Sequence, residues 1–292
     1  MKAACFIEMK AQAIQKWDTQ IKPESGIFEI NLGELWQYRD LLWLLVRRDF
    51  VAFYKQTILG PIWFFIQPLL TTLTFMIVFS RMAKLSTDGL PPMLFYLSGV
   101  TCWMYFSESF TKTSDTFIAN ANIFGKVYFP RLVIPLSIVI SNLIRFGIQF
   151  CLFLAVWLFY MIGTDKIHPN IYVLLLPLLV LLMAGLALGL GIIFSSLTTK
   201  YRDLRFLLAF GVQLLMFATP VILPLSAMNK TYSWIIKLNP ITPIIETFRY
   251  MFLGTGTFSW TQLGYSTIVT IVLVMVGILV FNKVEKSFMD TV

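Results

Sequence analysis

Residues 171–199 read IYVLLLPLLVLLMAGLALGLGIIFSSLTT and contain no charged side chain. An α-helix rises 1.5 Å per residue, so about 20 apolar residues cross a hydrocarbon core about 30 Å thick. This run is long enough to cross, and it predicts a helix that spans a membrane.

The composition extends this prediction to the whole chain. Hydrophobic residues make up 58% and charged residues 13% of the 292 residues, and the mean hydropathy is +0.76. Soluble domains are about half apolar and about a quarter charged. We therefore expect an all-α integral membrane protein with little room for a separate soluble domain. The net charge of +8 suits an anionic cytoplasmic leaflet, or reflects an excess of basic residues in inner loops.

Six runs are long and apolar enough to cross, and two of them carry one charge each, Glu108 and Arg145. The runs are 56–80, 89–111, 132–162, 171–199, 206–229 and 262–282. Residues 224–260 are apolar but interrupted by prolines and charges, which predicts re-entrant or interfacial helices, with a plain loop as the alternative. We expect a six-span domain over 56–282 and a cytoplasmic tail over 283–292.

Residues 32–55 predict an amphipathic helix that lies on the membrane surface. At 100° per residue, Trp36, Trp43 and Val46 share an apolar arc and Arg47 faces away from it, while Leu44 and Leu45 intrude on the polar arc. A seventh span is the alternative, which the charges disfavour.

The ends of the chain are predicted to be cytoplasmic. Residues 1–31 form an N-terminal extension without the apolar core of a signal peptide. Most Lys and Arg residues outside the spans fall on the side of this extension, whereas Arg249 is one of the few assigned to the outer side. Basic residues concentrate in cytoplasmic loops, so both termini are placed inside.

No residue pattern typical of catalysis or metal binding occurs in the sequence. His168 is the only histidine, and the three cysteines are scattered. There is no GxxxxGK[ST] loop to hold a nucleotide phosphate, so ATP-driven transport would need an ATPase on another chain. We expect a chain that is not an enzyme and that binds no metal or cofactor itself.

Two predicted inner loops combine basic and aromatic residues: 120–131, NANIFGKVYFPR, and 198–205, TTKYRDLR. Exposed aromatic residues beside positive charge indicate a docking surface for a protein partner. Packing against lipid headgroups is the alternative. The candidate contact residues are Asn120, Asn122, Phe124, Lys126, Tyr128, Phe129, Pro130, Arg131, Tyr201, Arg202 and Asp203.

Aromatic side chains recur at helical spacing on two predicted spans. The second span carries Tyr96, Trp103, Phe106 and Phe110, and the fifth carries Phe206, Phe210 and Phe217 with Gln213 among them. Such faces can stack on sugar rings along a substrate pathway, and packing in the core or against lipid is the alternative. Arg145, at membrane depth, is a candidate for the same pathway or for a subunit seam.

Short motifs spread over about residues 41–281 carry a family resemblance. They are Tyr54-Lys55, Leu59-Gly-Pro-Ile-Trp63, Gln67-Pro68, Leu97-Ser-Gly99 with Trp103, Asn120-Ala-Asn122, Lys126-Val-Tyr-Phe-Pro-Arg131, Pro135, Tyr201-Arg-Asp-Leu204, Thr219-Pro-Val221, Leu238-Asn-Pro240 and Phe248-Arg249. In this order and spacing they resemble the permeases of ABC exporters for O-antigen, capsule and teichoic-acid polymers.

The resemblance implies six spans, an N-terminal interface helix and re-entrant helices before the last span. It implies a homodimer in the bacterial inner membrane, bound to two cytoplasmic ABC ATPase subunits that carry ATP and Mg²⁺. The substrate would be an undecaprenyl-linked polysaccharide, and nucleic acid would not be a partner. Residues 120–131 would be the main contact with the ATPase, assisted by 201–205 and the interface helix.

Two other transporter classes stay open on sequence grounds. A permease for drugs or small lipids shares the six-span plan, but we expect it to lack the aromatic pathway and the 126–131 motif. A proton-coupled secondary transporter needs a relay of carboxylates at membrane depth, and Glu108 is the only candidate within the predicted spans.

Overall fold

The computed structural model describes residues 32–55, 58–124, 129–163, 169–228 and 230–288, and within these ranges it is helical without strands. The predicted N-terminal extension lies outside them. The helices are α1 (Leu32–Gln37), α2 (Arg39–Lys55), α3 (Gly60–Met82), α4 (Pro92–Ser114), α5 (Thr116–Ala119), α6 (Ala121–Phe124), α7 (Val133–Gly163), α8 (Ile171–Lys200), α9 (Leu204–Phe217), α10 (Lys230–Leu238), α11 (Thr242–Leu253) and α12 (Trp260–Phe288).

Four of the described helices, α3, α7, α8 and α12, are long and apolar enough to cross a membrane. They overlap the first, third, fourth and sixth predicted spans. The helices at the second and fifth predicted spans, α4 and α9, do not combine the length and the hydropathy of these four, so a count of six spans is not confirmed. α4 has 23 residues but carries Glu108 and Lys112, which lower its hydropathy. α9 has 14 residues, about 21 Å, and is shorter than the hydrocarbon core.

The early end of α9 has a local cause. The predicted run continued to residue 229, but the helix stops at Phe217 and the chain turns over 218–222. Pro220 has no backbone N–H to donate into a continuing helix, and its ring clashes with the preceding turn.

The interrupted region 224–260 contains two short helices rather than a plain loop. α10 has 9 residues and α11 has 12, so neither can cross a hydrocarbon core alone. Every residue of α11 except Tyr250 is buried. The Trp157 indole N–H of α7 donates to the Phe252 carbonyl at 2.8 Å, and the Asn170 backbone N–H donates to Met251 at 2.9 Å. α11 is therefore fixed in the core.

The core is built around α4 and α8. α8 packs along both α4 and α12, and α4 also packs against α7 and α3. Glycines set the closest approaches. A Cβ at Gly189 would lie 2.8 Å from the backbone of Leu273, and one at Gly191 would lie 2.5 Å from Thr113. Small residues let apolar helices approach closely enough for backbone-to-backbone packing.

Candidate functional site

The second predicted inner loop is tied to the segment that leads from α4 into the first. The Arg205 guanidinium donates to the Asp115 carboxylate at 2.6 Å, which ties the start of α9 to the end of α4. The Thr198 hydroxyl donates to the Ser114 carbonyl at 3.0 Å. The backbone N–H of Phe117 donates to the Ser195 hydroxyl at 3.4 Å. These contacts connect residues more than 75 positions apart and fix the end of α4 and the start of α5 to the end of α8 and the start of α9.

The aromatic part of the first loop faces inward. Phe124 and Phe129 are buried and stack with ring centroids 5.8 Å apart. The buried Arg131 guanidinium lies 5.6 Å over the Phe124 ring. A guanidinium over an aromatic face is held by the ring quadrupole and by packing. These three predicted contact residues form the base of the loop rather than its exposed surface.

The remaining predicted residues of the first loop differ in exposure. The Asn120 side chain is half-buried and donates to the Thr116 carbonyl at 3.0 Å. Pro130 is half-buried and Asn122 is exposed. Lys126 and Tyr128 lie outside the described residues.

Helix α2 supplies the second wall of this base. Leu45 is buried in one apolar cluster with Phe117, Phe124 and Phe129, together with Phe281 of α12. Leu45, which intrudes on the polar arc of the helical pattern, is thus an apolar residue that faces the loop. Trp43 is 63% exposed, as an aromatic side chain at a membrane surface would be.

The second loop presents the exposed residues. Tyr201 is 51% exposed, with the Lys200 ammonium 5.3 Å over its ring, and Arg202 and Asp203 are exposed beside it. We call Asn122, Tyr201, Arg202 and Asp203 the inner-loop surface. It is polar and exposed.

A partly buried polar cluster joins α4 to α7. The Glu108 carboxylate accepts from the Arg145 guanidinium at 3.1 Å and from the Lys112 ammonium at 3.3 Å. Asn142 accepts from Lys112 at 3.4 Å and donates to the Ser109 hydroxyl at 3.2 Å. Arg145 thus lies on a seam between two helices of one subunit, which matches the rule that charge at membrane depth faces protein or water.

The two aromatic stripes have different surroundings. Tyr96, Trp103, Phe106 and Phe110 on α4 are all buried in the core. On α9, Phe206, Phe210 and Phe217 are 82%, 61% and 55% exposed, and Gln213 is exposed with them. Packing accounts for the α4 stripe, whereas the α9 stripe remains available to lipid, a second copy of the chain or a substrate.

Arg249, which the sequence analysis assigned to the outer side, is only 2% exposed. Its guanidinium donates to the Ser98 hydroxyl at 3.3 Å, to the Phe95 carbonyl at 3.3 Å and to the Val221 carbonyl at 3.1 Å. It also donates to the Pro220 carbonyl. Arg249 therefore ties α11 to α4 and to the turn after α9.

Neighbouring groups complete this arrangement. The Glu246 carboxylate lies 3.7 Å from Arg249 and accepts from the Thr257 backbone N–H at 2.9 Å. A Cβ at Gly99 would lie 2.8 Å from the Arg249 guanidinium. The motifs Leu97-Ser-Gly99, Thr219-Pro-Val221 and Phe248-Arg249 thus meet at one point. The presence of all three motifs in the sequence was the one signal that could have pointed to this contact site.

No group of three or more His, Cys, Asp or Glu side chains suited to a metal ion occurs among the residues described.

Comparisons with known proteins agree on one family. A profile of the family described as "ABC-2 type transporter" matches residues 40–253. The chain is 30% identical over 260 residues to the O-antigen export system permease protein RfbA of Klebsiella pneumoniae, covering 89% of this chain and 96% of the relative. It is 28% identical over 261 residues to RfbA of Myxococcus xanthus (89% and 98%). It is 22% identical over 238 residues to the polysialic acid transport protein KpsM of Escherichia coli (80% and 89%).

Proposed function

This chain belongs to the ABC-2 type transporter family, and from that premise we propose that it is the membrane permease subunit of an ATP-driven polysaccharide exporter. The relatives named as O-antigen export permeases align over nearly their whole length. The more distant relatives are named for polysialic acid and capsule polysaccharide. A lipid-linked polysaccharide is therefore the substrate class that the relatives favour over a drug or a small lipid.

The proposed partner is a pair of cytoplasmic ATPase subunits carrying ATP and Mg²⁺. The observation that carries this proposal is the inner-loop surface, because its exposed Tyr201, Arg202 and Asp203 adjoin a rigid base. The Asp115–Arg205 ion pair joins the end of α4 to the start of α9, so force applied to either helix end would reach the other. ATP binding would then favour one conformation of the permease through differential contacts.

We propose a six-span topology in the bacterial inner membrane with both termini cytoplasmic. α4 and α9 would be the two further spans. The charges on α4 are paired with α7, which lowers the free energy of burying them. α9 would cross with the help of the turn that follows it. α10 and α11 would be re-entrant helices shielded by the rest of the protein, since broken backbone at membrane depth cannot face lipid.

We propose a homodimer whose conduit is lined in part by α9. Only Leu208 of this helix is buried within the subunit. Its exposed Phe206, Phe210 and Phe217 could stack on sugar rings and give a sliding contact, with Gln213 supplying a hydrogen-bonding group. The buried α4 stripe supports a packing role instead, and we leave it out of the pathway.

The test is co-purification of the tagged chain with an ABC ATPase from its native membrane, followed by an ATPase assay. We expect an ATPase in equal amount, and at least a several-fold loss of it from the Tyr201→Ala/Arg202→Ala variant. Arg81→Ala, an exposed cation at the far end of α3, is the matched control and should retain the partner. Recovery of no ATPase with the wild-type chain under gentle extraction would refute the proposal and favour a secondary carrier.

A further inference from the structure

The exposed side of α1 and α2 carries large apolar side chains and cations together. Trp36, Trp43 and Leu44 are 70%, 63% and 61% exposed. The exposed cations of the same two helices are Arg39, Arg47, Arg48 and Lys55. We call these residues the α2 exposed face. Large apolar side chains that are exposed together mark a surface that contacts lipid or a protein partner.

The α2 exposed face belongs to a helix with a net positive charge. The sequence of α2, RDLLWLLVRRDFVAFYK, holds four cations and two carboxylates, which leaves a net charge of +2. Arg39 and Arg48 each pair with the aspartate that follows it, at 3.9 Å and 2.8 Å. Arg47 and Lys55 form no ion pair with another described residue and are exposed. These two cations are therefore available to an anion outside the chain.

α2 lies at the level where α3 begins to cross the membrane. The Phe50 ring stacks with the Phe64 ring near the start of α3, with centroids 6.2 Å apart. Ile58 and Ile62, which follow α2 in the chain, are 105% and 56% exposed, and Leu70 further along α3 is 55% exposed. Exposed apolar surface thus continues along the chain from α2 into a helix long and apolar enough to cross a membrane. Lipid can cover both helices, whereas a cytosolic protein cannot reach the second.

The indoles and the cations of the α2 exposed face lie close together. Arg47 follows Trp43 by four residues, which places the two about 40° apart around the helix. The Arg39 guanidinium lies 5.5 Å over the Trp36 ring. Tryptophan rings concentrate at the boundary between hydrocarbon and headgroups, and long cationic side chains beside them extend to the phosphates. This mixture fits a helix within the headgroup layer.

We infer that the α2 exposed face selects anionic phospholipids over zwitterionic ones in the leaflet next to the inner loops. A zwitterionic headgroup brings its own cation, which competes for the phosphate, whereas an anionic headgroup leaves a net negative charge for Arg47 and Lys55. Leu45 of α2 packs in one cluster with Phe124 and Phe129, so the selected lipid would hold the helix that supports the first inner loop. The inference depends on neither an ATPase partner nor a polysaccharide substrate, and each can fail without the other.

The experiment is tryptophan quenching by brominated lipid in the full chain reconstituted into bilayers. Brominated phosphatidylglycerol and brominated phosphatidylcholine are added separately to mixtures of the two unbrominated lipids. The difference between wild type and Trp36→Phe/Trp43→Phe isolates the signal of the α2 exposed face. We expect phosphatidylglycerol to quench this signal at a several-fold lower mole fraction than phosphatidylcholine. Arg47→Gln/Lys55→Gln should lower the preference by about fivefold for each cation removed, and added salt should lower it in wild type.

A matched variant separates this face from net charge. Lys200→Gln/Arg202→Gln removes the same charge from the second inner loop and should keep the wild-type preference. Because Arg47 and Lys55 are exposed without ion pairs, their double variant should keep the wild-type melting temperature.

Three results would overturn the inference. Equal quenching by the two lipids in wild type would remove the anionic preference. A preference that persists in Arg47→Gln/Lys55→Gln would remove these cations as its cause. Absence of quenching of Trp36 and Trp43 by either lipid would place the face away from the headgroups and assign it to a protein partner.

Discussion

Replacing Arg249 with Met tests whether the junction of α4, α11 and the turn after α9 holds the subunit together. The side chain is 2% exposed and donates to the Ser98 hydroxyl and to three backbone carbonyls. Met fills a similar volume but leaves the carbonyls of Pro220 and Val221 without this donor and the Glu246 carboxylate without its cation. Breaking a buried pair from one side typically destabilises by about 3–5 kcal/mol, and we expect a loss of that size.

The assay is denaturant unfolding of the purified chain in mixed micelles, followed by helical circular dichroism. Arg205→Met is the matched control, because Arg205 and Asp115 are 41% and 34% exposed and exposed pairs contribute less than about 1 kcal/mol. Adding Glu246→Gln to Arg249→Met should recover about 1–2 kcal/mol, since it removes the uncompensated buried charge while retaining an acceptor for Thr257. If Arg249→Met unfolds within about 1 kcal/mol of wild type, the guanidinium is not the tie that we describe.

Three further predictions follow from the same structure. Reversing either charge of the Asp115–Arg205 ion pair, by Asp115→Arg or Arg205→Asp, should lower the permease-stimulated ATPase activity several-fold. The double variant, with both charges exchanged, should restore the activity. Failure of the double variant to recover would show that the ion pair does not couple the ends of α4 and α9. Gly189→Val should destabilise the subunit by at least about 1–3 kcal/mol in the same unfolding assay, because its Cβ meets the α12 backbone at 2.8 Å, whereas Gly147→Val, with open space around it, should not. Phe210→Ser should lower polysaccharide export in cells while leaving the melting temperature unchanged, because the ring is 61% exposed; a lower melting temperature would instead indicate packing.

The long apolar helices could be predicted from sequence because a bilayer imposes a minimum length of uncharged chain, and α8 meets it without interruption. α4 is harder because it is rich in Ser and Thr. Several of its hydroxyls donate within the helix, as Ser98 does to Phe95 at 2.8 Å and Thr101 to Leu97 at 2.8 Å. A hydropathy scale treats these groups as polar although their hydrogen bonds are already satisfied, so the helix is more compatible with a membrane than its composition indicates.

The inner loops show which features of a site can be predicted from the amino-acid composition of a segment. The sequence predicted aromatic and basic residues on one side of the membrane, and in the structure Asp115 and Arg205 join the end of α4 to the start of α9. The sequence could not show which aromatic residues face outward. The direction of Phe124 and Phe129 depends on Leu45, about 80 residues earlier in the chain, and on Phe281, about 150 later. Apolar side chains turn toward whatever apolar surface the fold supplies, and local pattern does not contain that information.

The pairing of Arg145 with Glu108 shows that a contact between distant residues can be predicted from the positions of charges along neighbouring helices. α4 runs toward the inner loops and α7 runs back, with a connection of 18 residues between them. Glu108 lies six residues before the end of α4, about 9 Å inside it, and Arg145 lies twelve residues after the start of α7, about 18 Å along it. A guanidinium on a flexible side chain can span much of this difference. Opposite charges on neighbouring antiparallel helices should pair where their side chains can reach each other, because each lowers the free energy of burying the other. The observed 3.1 Å contact is the outcome that this reasoning predicts. Arg249 lacks such a cue: its principal partners are backbone carbonyls, which no sequence pattern marks.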